Sequence, residues 1–215
     1  MNKKEVLEKL KILEDPFENF IPVPNTVLEG WNGDSPFIPA MVNEVKPNLV
    51  LEVGSWMGQS SINFAKSLKA LGLDSSVVCI DTWLGSTEHW IDLNLREKMD
   101  LRNGRPSFYN KFLTNIRNYK VEDMVTPLSL PSLAAASVLK HYEFKADLIY
   151  IDGSHDTQDV YNDLKAYWDL LNPNGIMFGD DFTWSSVVDG VQAFCSETGT
   201  PCLQQGINWV LRKQL

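Results

Sequence analysis

The strongest constraint on this 215-residue chain is a rhythm. Five short apolar runs, at residues 49–53, 77–80, 125–128, 147–151 and 176–178, alternate with stretches whose apolar residues recur at helical spacing. Runs so short and continuous read as strands buried on both faces, and strands separated by helices build a parallel sheet. The spacing predicts helices over 3–14, from Ser35-Pro36 to about Val45, over 60–70, around 112–118, over 160–171 with a stop at 172–175, and over 187–195. At the C-terminal end, residues 201–204, a turn at Gln205-Gly206 and residues 207–211 lie too close together for a parallel crossover, which needs a dozen or more residues. They must pair as a hairpin. The expected class is α/β, a doubly wound sheet with an antiparallel edge.

The length fits one domain over residues 1–215, with 1–46 an N-terminal helical arm or lid and 47–215 the core. Residues 84–110 are too long for a simple connection and predict a substrate-side excursion. Nineteen basic residues against 28 acidic ones give a net charge of −9, which argues against a broad nucleic-acid surface. The N-terminal segment is charged throughout and no stretch approaches the roughly 18 apolar residues of a membrane span. Cys79, Cys195 and Cys202 form no metal-like pairing. A soluble, cytoplasmic, reducing setting is expected, with no nucleic-acid or membrane partner and a homodimer left open.

In an open parallel sheet, ligands bind beyond the carboxyl ends of the strands. Those ends carry Glu52 with Gly54, Asp81, Asp152, and Asp180 with Asp181. The turn Glu52-Val-Gly-Ser-Trp-Met-Gly58-Gln-Ser60-Ser61 lets backbone approach a ligand, and its helix offers free N–H groups. An acid two residues before the first glycine repels pyrophosphate and suits an ammonium group. Asp81, ending the second run, suits the two hydroxyls of a ribose. Together they describe a nucleoside carrying an amino acid.

These residues resemble the class I S-adenosylmethionine-dependent methyltransferases over about residues 45–212, although ExGSxxGxS departs from the commoner ExGxGxG. The resemblance implies a Rossmann-like, seven-stranded sheet closed by the C-terminal hairpin. It also implies that Glu52, Gly54, Ser55, Gly58 and Ser60 (or Ser61) line the methionine end, that Asp81 holds the ribose, and that Thr82, Trp83, Ser129 and Leu130 border the adenine. Packing alone would equally place an aromatic such as Trp83 beside a strand end. A nicotinamide-dependent oxidoreductase or epimerase shares the alternating architecture but would show a tighter glycine turn and no terminal hairpin.

The segment Ile151-Asp152-Gly-Ser-His155-Asp156 and the pair Asp180-Asp181 make a third constellation. Converging carboxylates suit a hard divalent ion such as Mg²⁺. The pattern resembles the metal-dependent catechol-type O-methyltransferases and, more closely, bacterial methyltransferases acting on sugars or natural products. In the catechol group a lysine three residues beyond the first Asp is the base; here that position is His155. The implied reaction is methyl transfer to a hydroxyl of a small-molecule acceptor, with metal ligands Asp152, Asp180 and Asp181, His155 and Asp152 catalytic, and Asp152 also near the cofactor. Metal-free relatives leave a second option: Asp152 positions cofactor or acceptor directly, and Asp180-Asp181 cap the next helix. Likewise His155 can be read as a helix-entry residue capping Thr157 or Gln158. Trp31, Trp90 and Trp184 are expected to contact the acceptor, while His89 and His141 read as surface residues.

Overall fold

A computed structural model describes residues 1–214. The apolar runs become strands β1 (Leu49–Val53), β2 (Ser76–Asp81), β3 (Val125–Ser129), β4 (Ala146–Ile151) and β5 (Leu171–Gly179), followed by β6 (Cys202–Gln205) and β7 (Asn208–Arg212). They form one seven-stranded sheet in the order β3-β2-β1-β4-β5-β7-β6. β1 to β5 pair in parallel, and β7 pairs antiparallel with both β5 and β6. Strand order reverses between β1 and β4, so a crevice opens beyond their carboxyl ends.

Both faces are covered, as continuous apolar strands require. Val50, Cys79, Tyr150 and Phe178 face α2 (Phe37–Val45), α3 (Gln59–Ala70) and α6 (Phe108–Asn118). Leu51, Ile80, Ile149 and Met177 face α7 (Ser132–His141), α8 (Thr157–Trp168) and α9 (Ser185–Thr198). Each fully buried aliphatic side chain contributes about 1.5–3 kcal/mol, so the two layers dominate the stability of the fold.

Several expected boundaries move. The opening helix α1 is Lys3–Leu10, ended by left-handed Lys11, and Leu13 lies wholly exposed beyond it. α1 is no lid over the crevice. Its start is tied to the residues just before β1, β2 and β3: the Met1 amino group donates to Asn48 O at 3.0 Å, Asn2 to Asp74 at 3.3 Å, and Lys3 Nζ to Glu122 O at 2.9 Å. The helix therefore closes the amino ends of the strands, opposite the crevice. α8 ends at Trp168, and residues 171–175 start β5 through a register shift opposite Ala146 and Leu148 rather than stopping a helix. The 84–110 excursion contains two short helices, α4 (Thr87–Ile91) and α5 (Leu93–Lys98), and an Arg102–Arg105 bridge. α7 fills the connection between β3 and β4, which sequence periodicity left unassigned.

Candidate functional site

The β1–α3 turn is held in one shape by its own residues. Gly54 has φ +88°, and a Cβ there would lie 1.9 Å from the Asp152 carbonyl oxygen, so only glycine lets the β1 and β4 ends pass this closely. Glu52 is completely buried; one oxygen accepts from Ser55 Oγ at 2.8 Å and from Ser61 Oγ, while Oε1 has no partner among the described residues. Burial raises its pKa. Glu52 thus fastens the turn to the first turn of α3, where the buried Ser60 also sits, and Gly58 (φ +91°) leads into that helix.

Asp81 does similar work from β2. Its Oδ2 accepts from the backbone of Ser55 at 3.1 Å and Trp56 at 2.9 Å, and its Oδ1 from that of Trp83 at 2.7 Å. Three acceptor directions of about four are therefore taken, leaving room for one ligand hydroxyl rather than the expected pair. Burial pushes its pKa up. Trp83, expected beside the adenine, is buried: it packs against Tyr109 and Phe112 at 5.0 and 4.9 Å and donates through Nε1 to Trp56 O at 2.8 Å. Its place is in the core beneath the turn. Thr82 accepts from Leu84 N at 3.1 Å, Ser129 pairs with Asp81 at the strand end, and Leu130 packs partly onto the α7–α9 layer.

At the ends of β4 and β5 the structure brings together Asp152, His155 and Asp181, with one donor atom of each within 4.8 Å of the others. His155 Nε2 lies 3.0 Å from Asp181 Oδ2, and its ring stacks on Trp184 at 4.7 Å. The hydrogen bond to Asp181 raises the imidazole pKa. Burial, then Asp180 and Asp181, drive Asp152 well above the usual carboxylate range, and Tyr150 donates to it at 3.0 Å. A cavity of about 10 Å³ lies among these side chains, lined also by Ile151, Ser154 and Trp209, with space for a single water or ion.

Asp180 differs from expectation: it is not one of the three converging donors. Its Oδ1 accepts from Asp181 N at 2.8 Å and from Asn208 at 3.3 Å, and burial raises its pKa. Asn208, the first residue of β7, was not singled out by the sequence; the hairpin is legible there, but not which of its residues turns inward. Nor does either acid cap α9, whose N-cap is Trp184. Asp156 rather than His155 caps α8, accepting from Gln158 N at 2.9 Å. Trp56 (φ 45°), Trp83 (φ 52°) and Asp181 (φ 57°), just beyond three of these strand ends, are left-handed.

The crevice is flanked by aromatics. Trp31, more than half exposed, packs 5.4 Å from Trp56, and Trp56 lies against Phe108. Gly33 sits against the α3 amino end, where a Cβ would lie 2.7 Å from Ser60 N. Residues 29–35 therefore cross the turn that α1 leaves uncovered. Trp184 is half-exposed over His155, and Trp90 is 40% exposed with its Nε1 donating to Leu84 O at 3.0 Å. His89 is no surface residue: it is 8% exposed and stacks on Trp56 at 4.4 Å. No sequence signal marks it, because a five-residue helix shows no periodicity.

The profile of a family described as a methyltransferase domain matches residues 51–182, from the middle of β1 to just past the Asp180-Asp181 pair. The chain belongs to this family. Its methyltransferase domain shares its fold with solved O-methyltransferases. NovP is 17% identical with a TM-score of 0.63, over 83% of this chain and 78% of that one. A Bacillus cereus O-methyltransferase in complex with S-adenosylhomocysteine is 18% identical with a TM-score of 0.60, over 98% and 90%. TomG from Streptomyces achromogenes, in complex with S-adenosylmethionine, is 15% identical with a TM-score of 0.60, over 89% and 83%. At these identities the likeness is one of fold. No curated protein matches the chain. The family match sets aside the nicotinamide-dependent alternative. No helix among the described residues is long and apolar enough to cross a membrane.

Proposed function

We propose that this methyltransferase moves the methyl group of S-adenosylmethionine to a hydroxyl of a small molecule, with His155 as the base. The observation that carries this reading is the convergence of Asp152, His155 and Asp181 at two strand ends beside the glycine turn. The solved relatives that hold S-adenosylmethionine or its product supply the cofactor class. The turn fits it: a backbone with no side chain at Gly54, an orphaned buried carboxylate oxygen on Glu52, and an acidic rim suited to a sulfonium.

The chain's own residues do three things. Glu52 and Asp81 hold the turn rigid, so that a bound cofactor meets a preformed surface. His155 Nε2–H donates to Asp181 at 3.0 Å, which leaves the lone pair of the neutral ring on Nδ1; Nδ1 takes the hydroxyl proton from the acceptor, and Asp181 stabilises the imidazolium that forms. Trp184 packs on the imidazole at 4.7 Å and fixes the plane in which the base meets the acceptor.

The same residues fit a divalent cation. Asp152 and Asp181 present carboxylate oxygens within reach of a common point, and burial, then the neighbouring Asp180 and Asp181, raise the pKa of Asp152. They would hold it together with waters, as Mg²⁺ prefers. When bound, such an ion makes an acceptor hydroxyl more acidic. A metal-free reading is favoured by the His155–Asp181 contact itself, a base and its orienting carboxylate already in register. Methyl transfer to a dihydroxycoumarin separates these. We expect His155→Ala to lower turnover by roughly 10²–10⁴-fold while S-adenosylhomocysteine still binds. A chelator should stop the wild type. Full turnover in excess chelator would remove the cation, and full turnover of His155→Ala would remove the base.

A further inference from the structure

His89 and Trp56 present two buried N–H groups that nothing in the described protein accepts. His89 Nδ1 accepts from Ser86 N at 3.2 Å and lies 2.7 Å from Ser86 Oγ. A nitrogen that accepts a backbone N–H carries the lone pair, so the proton of the neutral ring sits on Nε2. Burial lowers the imidazole pKa and keeps that ring neutral. Nε2 is buried without a partner among the described residues, and so is Trp56 Nε1, which can only donate. The two rings stack at 4.4 Å with a 33° tilt, Phe108 backs both, and Trp31 covers the far side of Trp56. Buried donors are nearly always paired, so a pair left open on stacked rings calls for a ligand atom.

We propose that Trp31, Trp56, His89 and Phe108 form the recognition subsite for the methyl acceptor, and that it takes a flat, uncharged ring bearing an oxygen that accepts these N–H groups. This rests on the methyl-transfer reading above. The aromatic walls select a flat ring. The two N–H groups turn the positive ends of their dipoles to the ring, which disfavours a cation there, and the acidic rim of Asp81, Asp152, Asp180 and Asp181 repels an anion. The subsite adjoins the Asp81 end of the crevice: Trp56, which stacks on His89 at 4.4 Å, donates its backbone N–H to Asp81 at 2.9 Å. Both N–H groups are buried in this structure, and Trp31, packed on Trp56 at 5.4 Å, is the exposed wall that would move to admit the ring. That indole is 58% exposed, and its segment meets α5 through the exposed Lys98, which pairs with Glu29 at 3.0 Å and lies 5.8 Å over the indole.

The test uses full-length protein loaded with S-adenosylhomocysteine and a dihydroxycoumarin, a flat neutral catechol with a ring carbonyl, followed by its fluorescence. The wild type should bind it saturably. His89→Phe, which keeps the stack and removes the donor, should weaken binding by about tenfold or more, and His89→Gln, which restores a donor, should recover part of that loss. S-adenosylhomocysteine affinity should stay unchanged in both, and melting curves confirm that both fold. Absence of coumarin binding to the loaded wild type would overturn the proposal. So would equal binding by His89→Phe, which would mean that water satisfies the donor, or a matching loss of S-adenosylhomocysteine affinity, which would assign the rings to the cofactor. If the wild type fails to bind S-adenosylhomocysteine at all, the methyl-transfer reading itself falls; if it binds the cofactor product but not the coumarin, only this subsite does.

Discussion

Gly54 and Asp163 show how far single positions govern this protein. At Gly54 the left-handed φ and the Asp152 carbonyl, 1.9 Å from where a Cβ would stand, act together. Gly54→Ala should cost more than about 2 kcal/mol in urea unfolding and abolish turnover, because β1 and β4 must part to make room. Asp163, buried on α8, accepts from Ser132 Oγ, and its pKa rises from 3.8 to about 6, chiefly through burial. The protonated acid suits the fold, so its stabilising contribution is complete below about pH 4 and is lost as pH rises through 6. Asp163→Asn keeps an oxygen for Ser132 and carries no charge. Thermal melts should therefore show the variant more stable than wild type at pH 8, by on the order of 2 kcal/mol, with the difference vanishing near pH 4. At this scale the sequence was legible in part at the strand ends: Asp152, His155 and Asp181 do meet, whereas Asp180 accepts from Asp181 N and Asn208 instead. It was not legible where a role follows from burial. Trp83 is packed into the core beneath the turn, and His89 is stacked on a ring 33 residues away in the chain.

Among the elements, strands were the clearest because a strand buried on both faces leaves an unbroken apolar run, and all five parallel strands match one. Helices were less clear in proportion to how small their buried residues are. α7 buries Ala135, Ala136 and Leu139, a stripe with too little apolar bulk to stand out. α1 shows that a correctly read helix can still be misplaced: its amphipathic pattern says that one side is buried, but not against which end of the sheet. Its ties to Asn48, Asp74 and Glu122 settle that it braces the end remote from the crevice. Val6→Ala, at a fully buried position of α1, should thus lower stability by roughly 0.5–2 kcal/mol and leave the turnover of the folded enzyme unaltered. Reduced turnover at a temperature where the variant is fully folded would tie α1 to the crevice after all.

Across the whole molecule, the net charge of −9 acquires a location. Glu52, Asp81, Asp152, Asp180 and Asp181 come from four parallel strands, β1, β2, β4 and β5, and the turns after them, and the parallel topology carries all of them to one edge. Three of them, Glu52, Asp81 and Asp180, hold backbone or side-chain donors and give the crevice its shape; Asp152 and Asp181 remain to meet His155. A rim with that surplus of negative charge favours a ligand bearing a positive centre over one bearing pyrophosphate. The most direct measurement is therefore calorimetric titration of the wild-type protein with S-adenosylhomocysteine and, separately, with NAD. One-to-one binding of S-adenosylhomocysteine with no heat from NAD is the predicted result; binding of NAD, or no binding of S-adenosylhomocysteine, would contradict it.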